Sequence, residues 1–476
     1  MTSRRGFLQT LGGAALAGCG RSKAAPPNII LFVADDLGWA DLGCYGNQFH
    51  ETPHLDSMAA RGMRFQQAYA ASPVCSPTRA SIMTGRHPAR LRLTNWLPGE
   101  HRFPHSKLIP PANLRRHLPL AATTLAEMLK KSGYATAHIG KWHLGGEGFL
   151  PEQQGFDFNA GGGEWGAPAS YFYPAWGERP KLSARPGDYL NDRLTEEALG
   201  FLDRRGREPF FLHFAFYDVH IPFEAKEERT RYFAAKLRPD GRARNATYAA
   251  MLAALDDTVG KVREKLRVLG VAERTLIAFT SDNGGLHVPE SRCTIPTSNA
   301  PLRAGKGHLY EGGIRVPLLV EWPGVTRPGS VSDVPVMSTD FFATFGEIVE
   351  TGVRIPRDSV SLVPLLRGGG TLPRKELFWH YPHYSNQGGR PSAALRQGRH
   401  KLVRFFEDQR SELYDLAADP GEVVSLADED RALASRLLLR LNGWMEEVQA
   451  PLMEPNPNYD PQVPVELPWQ RNCPAG

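Results

Sequence analysis

Residues 29–36 read Ile-Ile-Leu-Phe-Val-Ala-Asp-Asp, an apolar run that ends abruptly in two carboxylates. So short a run without polar interruption has the length and composition of a strand buried on both faces, as in a parallel sheet covered by helices. Residues 135–139, 210–217, 275–280 and 316–322 repeat the pattern. Between them lie helical patterns: 124–131, closing at Gly133 as a C-cap, and 190–203 and 246–269, with apolar residues three and four apart. Strands alternating with helices predict an α/β core on a large, mixed but mostly parallel sheet between helices. Residues 149–187, rich in Gly, Pro and aromatics, read as a long surface insertion of the kind that lines a cleft.

The texture changes after Arg367. Gly368-Gly369-Gly370 reads as a joint, followed by strand-like runs at 376–381, 393–397 and 400–406 and a turn at Asp419-Pro420-Gly421. An amphipathic helix over 431–448 comes next, and a proline-rich tail from Pro451 is expected to wrap the surface. This predicts a smaller C-terminal α+β domain, an antiparallel sheet plus a helix, giving units at 27–367 and 368–476.

The first 26 residues read as an address. Arg4-Arg5 within Ser3–Leu8 is similar to a twin-arginine export signal, and Leu16-Ala17-Gly18-Cys19 to a bacterial lipobox. Their order predicts export by the twin-arginine route to the periplasm of a bacterium, with membrane attachment through a lipidated Cys19; ordinary cleavage nearby is the alternative. The apolar stretch between them is too short to span a bilayer. At 476 residues, 41% hydrophobic and 22% charged, the chain has an ordinary globular composition, and its net charge of +5 forms no nucleic-acid stripe. Of five cysteines, Cys44, Cys293 and Cys473 match neither a zinc site nor a disulfide framework. Idle thiols are the favoured reading, with a Cys44–Cys293 or Cys293–Cys473 bridge left open for an oxidising compartment.

The residues just past each strand carry the chemistry. The first strand ends in Asp35-Asp36, the second in Lys141-Trp142-His143, the third in His220, and the fourth in Asp282-Asn283-Gly284-Gly285. Ligands bind at the carboxyl ends of strands in open parallel sheets, so four such endings predict one site. Asp35, Asp36, Asp282 and Asn283 offer only oxygen, which selects Ca²⁺ or Mg²⁺ over zinc. Asp35-Asp36 alone would read as a turn and cap, but three carboxylates at one edge repel unless a cation sits among them. Elsewhere, residues 75–86 read Cys-Ser-Pro-Thr-Arg-Ala-Ser-Ile-Met-Thr-Gly-Arg. Arg79, four residues after Cys75 on a helix starting near Pro77, points back along the same face.

Cys75, Pro77 and Arg79 with Thr84-Gly85-Arg86 resemble the C-x-P-x-R…T-G-R signature of the formylglycine-dependent sulfatases, in the alkaline-phosphatase-like superfamily. Gly140–His143 is similar to that family's G-K-W-H, His220 to its H-x-P, and Lys306 to the lysine of G-K-x-x-x-x-E-G-G; all stand in family order from about Pro27 to the C-terminal helix. The resemblance implies that a maturation enzyme oxidises Cys75 to Cα-formylglycine, whose hydrate attacks sulfur with one hydroxyl and expels sulfate with the other. It implies one cation, Ca²⁺ ahead of Mg²⁺, held by Asp35, Asp36, Asp282, Asn283 and the residue-75 oxygen. It further implies that Arg79 positions the hydrate and carboxylates, Lys141 contacts the sulfate, and His143 is the base for sulfate expulsion. His220 and Lys306 would stabilise or protonate the departing alcohol.

The expected function is sulfate-ester hydrolysis of a sulfated small molecule or saccharide. A phosphonate or phosphodiester hydrolase is the alternative, and a silent glycan-binding lipoprotein would require a broken nucleophile or metal motif. Aromatic residues of the insertion (Trp165, Tyr171, Phe172, Tyr173, Trp176) would stack on pyranose rings or simply pack the loop. Trp96, His308, His380, His383 and Arg390 are further pocket candidates.

Overall fold

The computed structural model describes residues 26–99, 103–236, 245–291, 293–463 and 465–473. The leader with Arg4, Arg5 and Cys19 lies outside them. No helix among the described residues is long and apolar enough to cross a membrane.

The strand Asn28–Ala34 lies in the middle of a nine-stranded sheet, between parallel neighbours Phe210–Ala215 and Thr275–Ser281. Alternation along it feeds both faces. Ile30 and Phe32 join a core with Leu194, Phe201, Leu252 and Val259, from the helices Leu190–Arg205 and Ala246–Val268. Ile29, Leu31 and Val33 join a second core with Ile82, Met128 and Phe345, from Cys75–Thr84, Leu125–Lys131 and Asp340–Ile348. Every residue of this strand is buried, which explains why it carries no polar alternation. The helix Leu125–Lys131 starts on a capping box: Thr124 Oγ accepts from Glu127 N and Glu127 Oε2 accepts from Thr124 N.

The sheet is mixed. Ala135–Gly140 pairs parallel with Phe210–Ala215, but Arg315–Glu321 runs antiparallel to both Thr275–Ser281 and Met63–Tyr69. The strand Met63–Tyr69 forms no apolar run in the sequence, because Arg64, Gln66 and Gln67 interrupt it. Two antiparallel steps restore its direction, so its carboxyl end meets the same edge as those of the parallel strands. Arg315–Glu321, by contrast, begins at that edge, which brings the segment just before it, with Lys306, to the same place.

The C-terminal unit is a four-stranded antiparallel sheet, Glu376–Tyr381, Ser392–Gln397, His400–Phe405 and Ser411–Asp415. Leu437, Leu441 and Trp444 of the helix Arg431–Glu447 pack on one face, against Leu395, Leu402 and Leu413. The other face, with Trp379, Ala394 and Val403, packs on Tyr69, Val74 and Leu309 of the larger unit. Trp379 Nε1 donates to the Ala70 carbonyl at 2.8 Å. The tail does wrap the surface: Glu454–Pro455 pairs with Leu108–Ile109, and Cys473 is joined to Cys293. That disulfide corrects the idle-thiol reading for both residues; tail and loop meet only in the folded chain, so spacing could not reveal it. Cys44 is a free cysteine.

A buried charge cluster fastens the two units. Lys401 Nζ lies 3.0 Å from Glu311 Oε1 and 2.8 Å from Glu422 Oε1, with all three side chains fully buried. Removing the cation leaves Glu422 with no ion-pair partner among the described residues, while Glu311 keeps Arg315, and breaking a buried pair in this way typically costs about 3–5 kcal/mol. Lys401→Met should therefore lower unfolding free energy by about that much, measured by denaturant titration; a change within about 0.5 kcal/mol, as at an ordinary surface site, would refute the role.

Candidate active site

The strands ending at Ser281, Ala34, Ala215 and Gly140 are consecutive neighbours in the sheet, so their carboxyl ends form one continuous edge. Asp35, Asp36, Lys141, His143, His220, Asp282 and Asn283 all converge there and are all buried. The segment after Met63–Tyr69 carries Cys75 to this edge as the first residue of the helix Cys75–Thr84. The helix thus begins two residues before Pro77. Cys75 is buried, and burial raises its thiol above the ordinary range, opposed by Lys141 and Lys306.

Arg79 reaches the residues that follow three of the strands. Its Nε donates to Asp282 Oδ2 at 2.8 Å and its Nη1 to the Lys141 carbonyl at 2.8 Å, with Nη2 3.8 Å from Asp35 Oδ1. One fixed guanidinium therefore ties the helix Cys75–Thr84 to three strand ends. Lys141 Nζ pairs with Asp35 Oδ2 at 2.7 Å, and Lys306 Nζ with Asp36 Oδ2 at 2.7 Å. Burial drives Asp35 well above the usual carboxylate range; Lys141 opposes this, while Asp282 adds to it. For Asp36, burial acts upward too, but Lys306, His220 and Lys141 overcome it and hold the group low.

The oxygen set fits a hard divalent cation. Ligand atoms of Asp35, Asp36 and His220 lie within 4.8 Å of one another. Asp282 is tied to the group by its Oδ1, which accepts from Asp36 N at 3.3 Å, and Asn283 by its Nδ2, which donates to Asp36 Oδ1 at 2.8 Å. Asp35 Oδ1 and Asn283 Oδ1 are buried without a hydrogen-bond partner. Buried acceptors left unpaired in a carboxylate cluster are what an oxygen-coordinated ion satisfies.

The two histidines have defined tautomers through their partners. His143 Nε2 donates to the Leu97 carbonyl at 2.6 Å, leaving Nδ1 as the lone-pair nitrogen, buried and without a hydrogen-bond partner. His220 Nδ1 donates to the Ile221 carbonyl at 2.9 Å, so Nε2 accepts from Lys306 Nζ at 3.0 Å. Burial, followed by Lys141 for His143 and Lys306 for His220, holds both rings well below the ordinary histidine range and therefore neutral. His143 does not continue the strand that precedes it. The strand ends at Gly140, and His143 has φ 57°, outside the extended region. Gly140 itself has φ 93°, and a Cβ there would sit 2.0 Å from the Ala215 carbonyl, so only glycine fits.

Above this floor opens a cavity of about 620 Å³ lined by Cys75, Asp36, His143, His220 and Lys306. Its outer wall comes partly from the insertion, through Glu164, Trp165 and Arg179, and partly from Trp96 and Arg116.

A family model described as Sulfatase matches residues 27–351, and one described as N-sulphoglucosamine sulphohydrolase, C-terminal, matches 304–449. The chain belongs to the sulfatase family. Human arylsulfatase A is 35% identical, over 86% of this chain and 84% of that protein. Human N-acetylgalactosamine-6-sulfatase is 34% identical, over 86% and 78%. The crystal structure of Ps i-CgsB in complex with k-i-k-neocarrahexaose has a TM-score of 0.75 at 29% identity, covering 90% of this chain and 94% of that one. A phosphonate monoester hydrolase of Agrobacterium radiobacter shares the fold (TM-score 0.66, 21% identity, 89% and 96% covered).

Several pocket candidates of this sulfatase are placed elsewhere. Tyr171 is buried with its hydroxyl on the Tyr217 and His220 carbonyls, Trp176 is buried in the core, and Phe172 and Tyr173 pack against that core. Of the insertion's aromatics, Trp165 lines the cavity. His308, His380, His383 and Arg390 are not among its lining residues: His380 and His383 are buried, and Arg390 pairs with Glu407 at 3.6 Å. Trp96 does line it. Sequence reasoning missed Arg116, Glu164, Arg179, Glu290, Asn386 and Gln387, isolated loop residues with no periodic or motif signal. It also attached no role to Asp218, whose carbonyl accepts from Asp35 N at 3.0 Å and so fixes the backbone of Asp35. Burial pushes the Asp218 carboxyl up to about 7, against a hydrogen bond from Tyr189.

Proposed function

We propose that this sulfatase removes sulfate from a sulfated saccharide, using an aldehyde hydrate made from Cys75 and a divalent cation, Ca²⁺ ahead of Mg²⁺. The observation that carries the reading is the setting of Cys75: a buried helix N-terminal residue opening into a cavity beside two ammoniums, two neutral imidazoles and a carboxylate cluster. A cation held by Asp35, Asp36, Asp282 and Asn283 would supply Lewis-acid polarisation of the sulfate oxygens and of the residue-75 oxygen.

Lys141 and Lys306 supply positive charge to the non-bridging sulfate oxygens, where charge shifts in the transition state. His220 and Lys306 form the pair that meets the departing alcohol oxygen and gives it a proton. The free Nδ1 of His143 faces a different task, taking the proton of the residue-75 hydroxyl whose collapse expels sulfate. Saccharide as the substrate class is supported by the sugar sulfatases among the relatives and by a cavity walled with Trp96 and Trp165.

Two measurements test this. Mass spectrometry of the peptide holding residue 75 should show the aldehyde in material made with a maturation enzyme. Catalytic efficiency should be greater toward 4-nitrophenyl sulfate than toward a phenyl phosphonate ester; the reverse order would favour the phosphonate reading.

For location, we propose export by the twin-arginine route and lipidation of Cys19 in a bacterial periplasm, on the order of the two leader motifs. Cys19→Ala should move the protein from the membrane fraction to the soluble fraction and leave catalysis intact. A soluble wild type would refute the anchor.

A further inference from the structure

The catalytic cavity adjoins a second groove of about 690 Å³, and four residues line both: Trp96, Leu97, Pro98 and Arg116. We propose that this groove binds the continuing anionic chain of an oligosaccharide whose sulfated residue sits in the catalytic cavity. The proposal rests on the sulfated-saccharide reading above and extends it to chain length and charge.

The chemistry of the groove fits such a chain. Ile109, Pro110 and Leu114 give it apolar walls, Trp96 stands between the two cavities, and Arg115 and Arg116 supply positive charge. No carboxylate is among its described lining residues. Both arginines are exposed, and neither has an ion-pair partner among the described residues. A guanidinium matches the planar, multi-oxygen face of sulfate or carboxylate, and an indole matches the apolar face of a pyranose. Apolar walls with exposed arginines suit a saccharide carrying repeated anionic groups better than a neutral glycan or an aryl sulfate. Each cavity falls in the range of about 300–1,000 Å³ that holds one drug-sized ligand, so the pair accommodates more than one sugar ring.

The groove is also anchored to the reacting end. Leu97 N donates to Ser76 Oγ at 3.0 Å, beside the nucleophile, and the Leu97 carbonyl accepts from His143 Nε2 at 2.6 Å. The far wall is held by the pairing of Leu108–Ile109 with Glu454–Pro455 and by Arg115 N on the Arg92 carbonyl at 2.7 Å. A chain lying along Trp96 is therefore fixed in register with residue 75 by backbone contacts already made, which limits the ordering cost of binding.

The test is calorimetric titration of the full-length, Ca²⁺-loaded Cys75→Ala protein. Its probes are the monosaccharide N-acetylgalactosamine 6-sulfate, a chondroitin 6-sulfate hexasaccharide and a sulfated carrageenan hexasaccharide. At least one hexasaccharide should bind about tenfold or more tighter than the monosaccharide, and raised salt should erode that advantage. In Arg115→Ser, an exposed substitution at a residue that lines the groove and not the catalytic cavity, the advantage should shrink to about threefold or less, and Arg115→Lys should restore part of it. A merely structural effect would weaken mono- and hexasaccharide alike. Equal binding of both lengths, or an advantage that survives the serine substitution, overturns the proposal. If no saccharide of either length binds while the wild type turns over 4-nitrophenyl sulfate, the saccharide reading itself falls, and this inference with it.

Discussion

Cys75→Ser should release alcohol once and then stop. A serine at residue 75 keeps one hydroxyl at the start of Cys75–Thr84, facing the same ammoniums and the same carboxylate cluster. It should accept sulfate, because the groups proposed to stabilise the sulfate oxygens and the departing alcohol (Lys141, Lys306 and His220) are untouched. It lacks the second hydroxyl that the free Nδ1 of His143 would deprotonate, so its sulfate ester has no internal route to collapse. The expected result is a burst of at most one alcohol per protein and an adduct heavier by one sulfonate group in the intact-mass spectrum. His143→Ala in the matured enzyme should share the second half of this behaviour, with alcohol release running ahead of sulfate release. His220→Ala and Lys306→Ala should instead slow alcohol release, most for poor leaving groups. Each loss should cost roughly 10²–10⁴ in rate. Sustained turnover by the serine variant near the wild-type rate would mean that residue 75 does not act as a two-oxygen nucleophile.

The floor of this site was legible and its walls were not, because the two are built differently. Residues at strand ends are marked twice, by the apolar run before them and by the sharp change to Asp35-Asp36, Lys141 or Asp282-Asn283. The sheet then places them by topology alone, since parallel neighbours share an edge. Met63–Tyr69 was missed for the converse reason: half its face is only partly buried, so its residues alternate in polarity and the run never forms. The walls obey no such rule. Arg116, Glu290 and Gln387 come from loops far apart in sequence, and Gln387 reaches the cavity because the C-terminal sheet packs on Tyr69, Val74 and Leu309. The insertion shows the limit of composition. Its aromatics were expected at the cleft, yet Tyr171 and Trp176 fill the interior, where a large ring removes most area from water. The local course of the chain decided which aromatic faced out, and one-dimensional spacing does not encode it.

Removal of the proposed cation should be as damaging as loss of residue 75, and reversible. Three buried carboxylates, Asp35, Asp36 and Asp282, stand with three fixed cations, Arg79, Lys141 and Lys306, at one sheet edge. Lys141 is within 2.7 Å of Asp35 and Lys306 within 2.7 Å of Asp36, so these pairs are what chelation would leave behind. The ammoniums that should face sulfate would then be spent on the protein's own carboxylates, with Asp35 Oδ1 and Asn283 Oδ1 still unpaired. Exhaustive chelation should therefore abolish detectable turnover, and Ca²⁺ should restore it more fully than Mg²⁺, because several protein oxygens suit the larger, less strictly octahedral ion. Binding should also be visible without any substrate: at free Ca²⁺ of 100 times its dissociation constant, linkage adds about 2.7 kcal/mol to stability, read as a rise in the melting temperature. Asp36→Ala should erase that rise and lower kcat/KM on the order of 10²–10³ or more, since it removes a ligand and releases Lys306 together. Full activity in metal-free protein, or an undiminished Ca²⁺-dependent rise in Asp36→Ala, would show that the oxygen cluster serves the fold and not an ion.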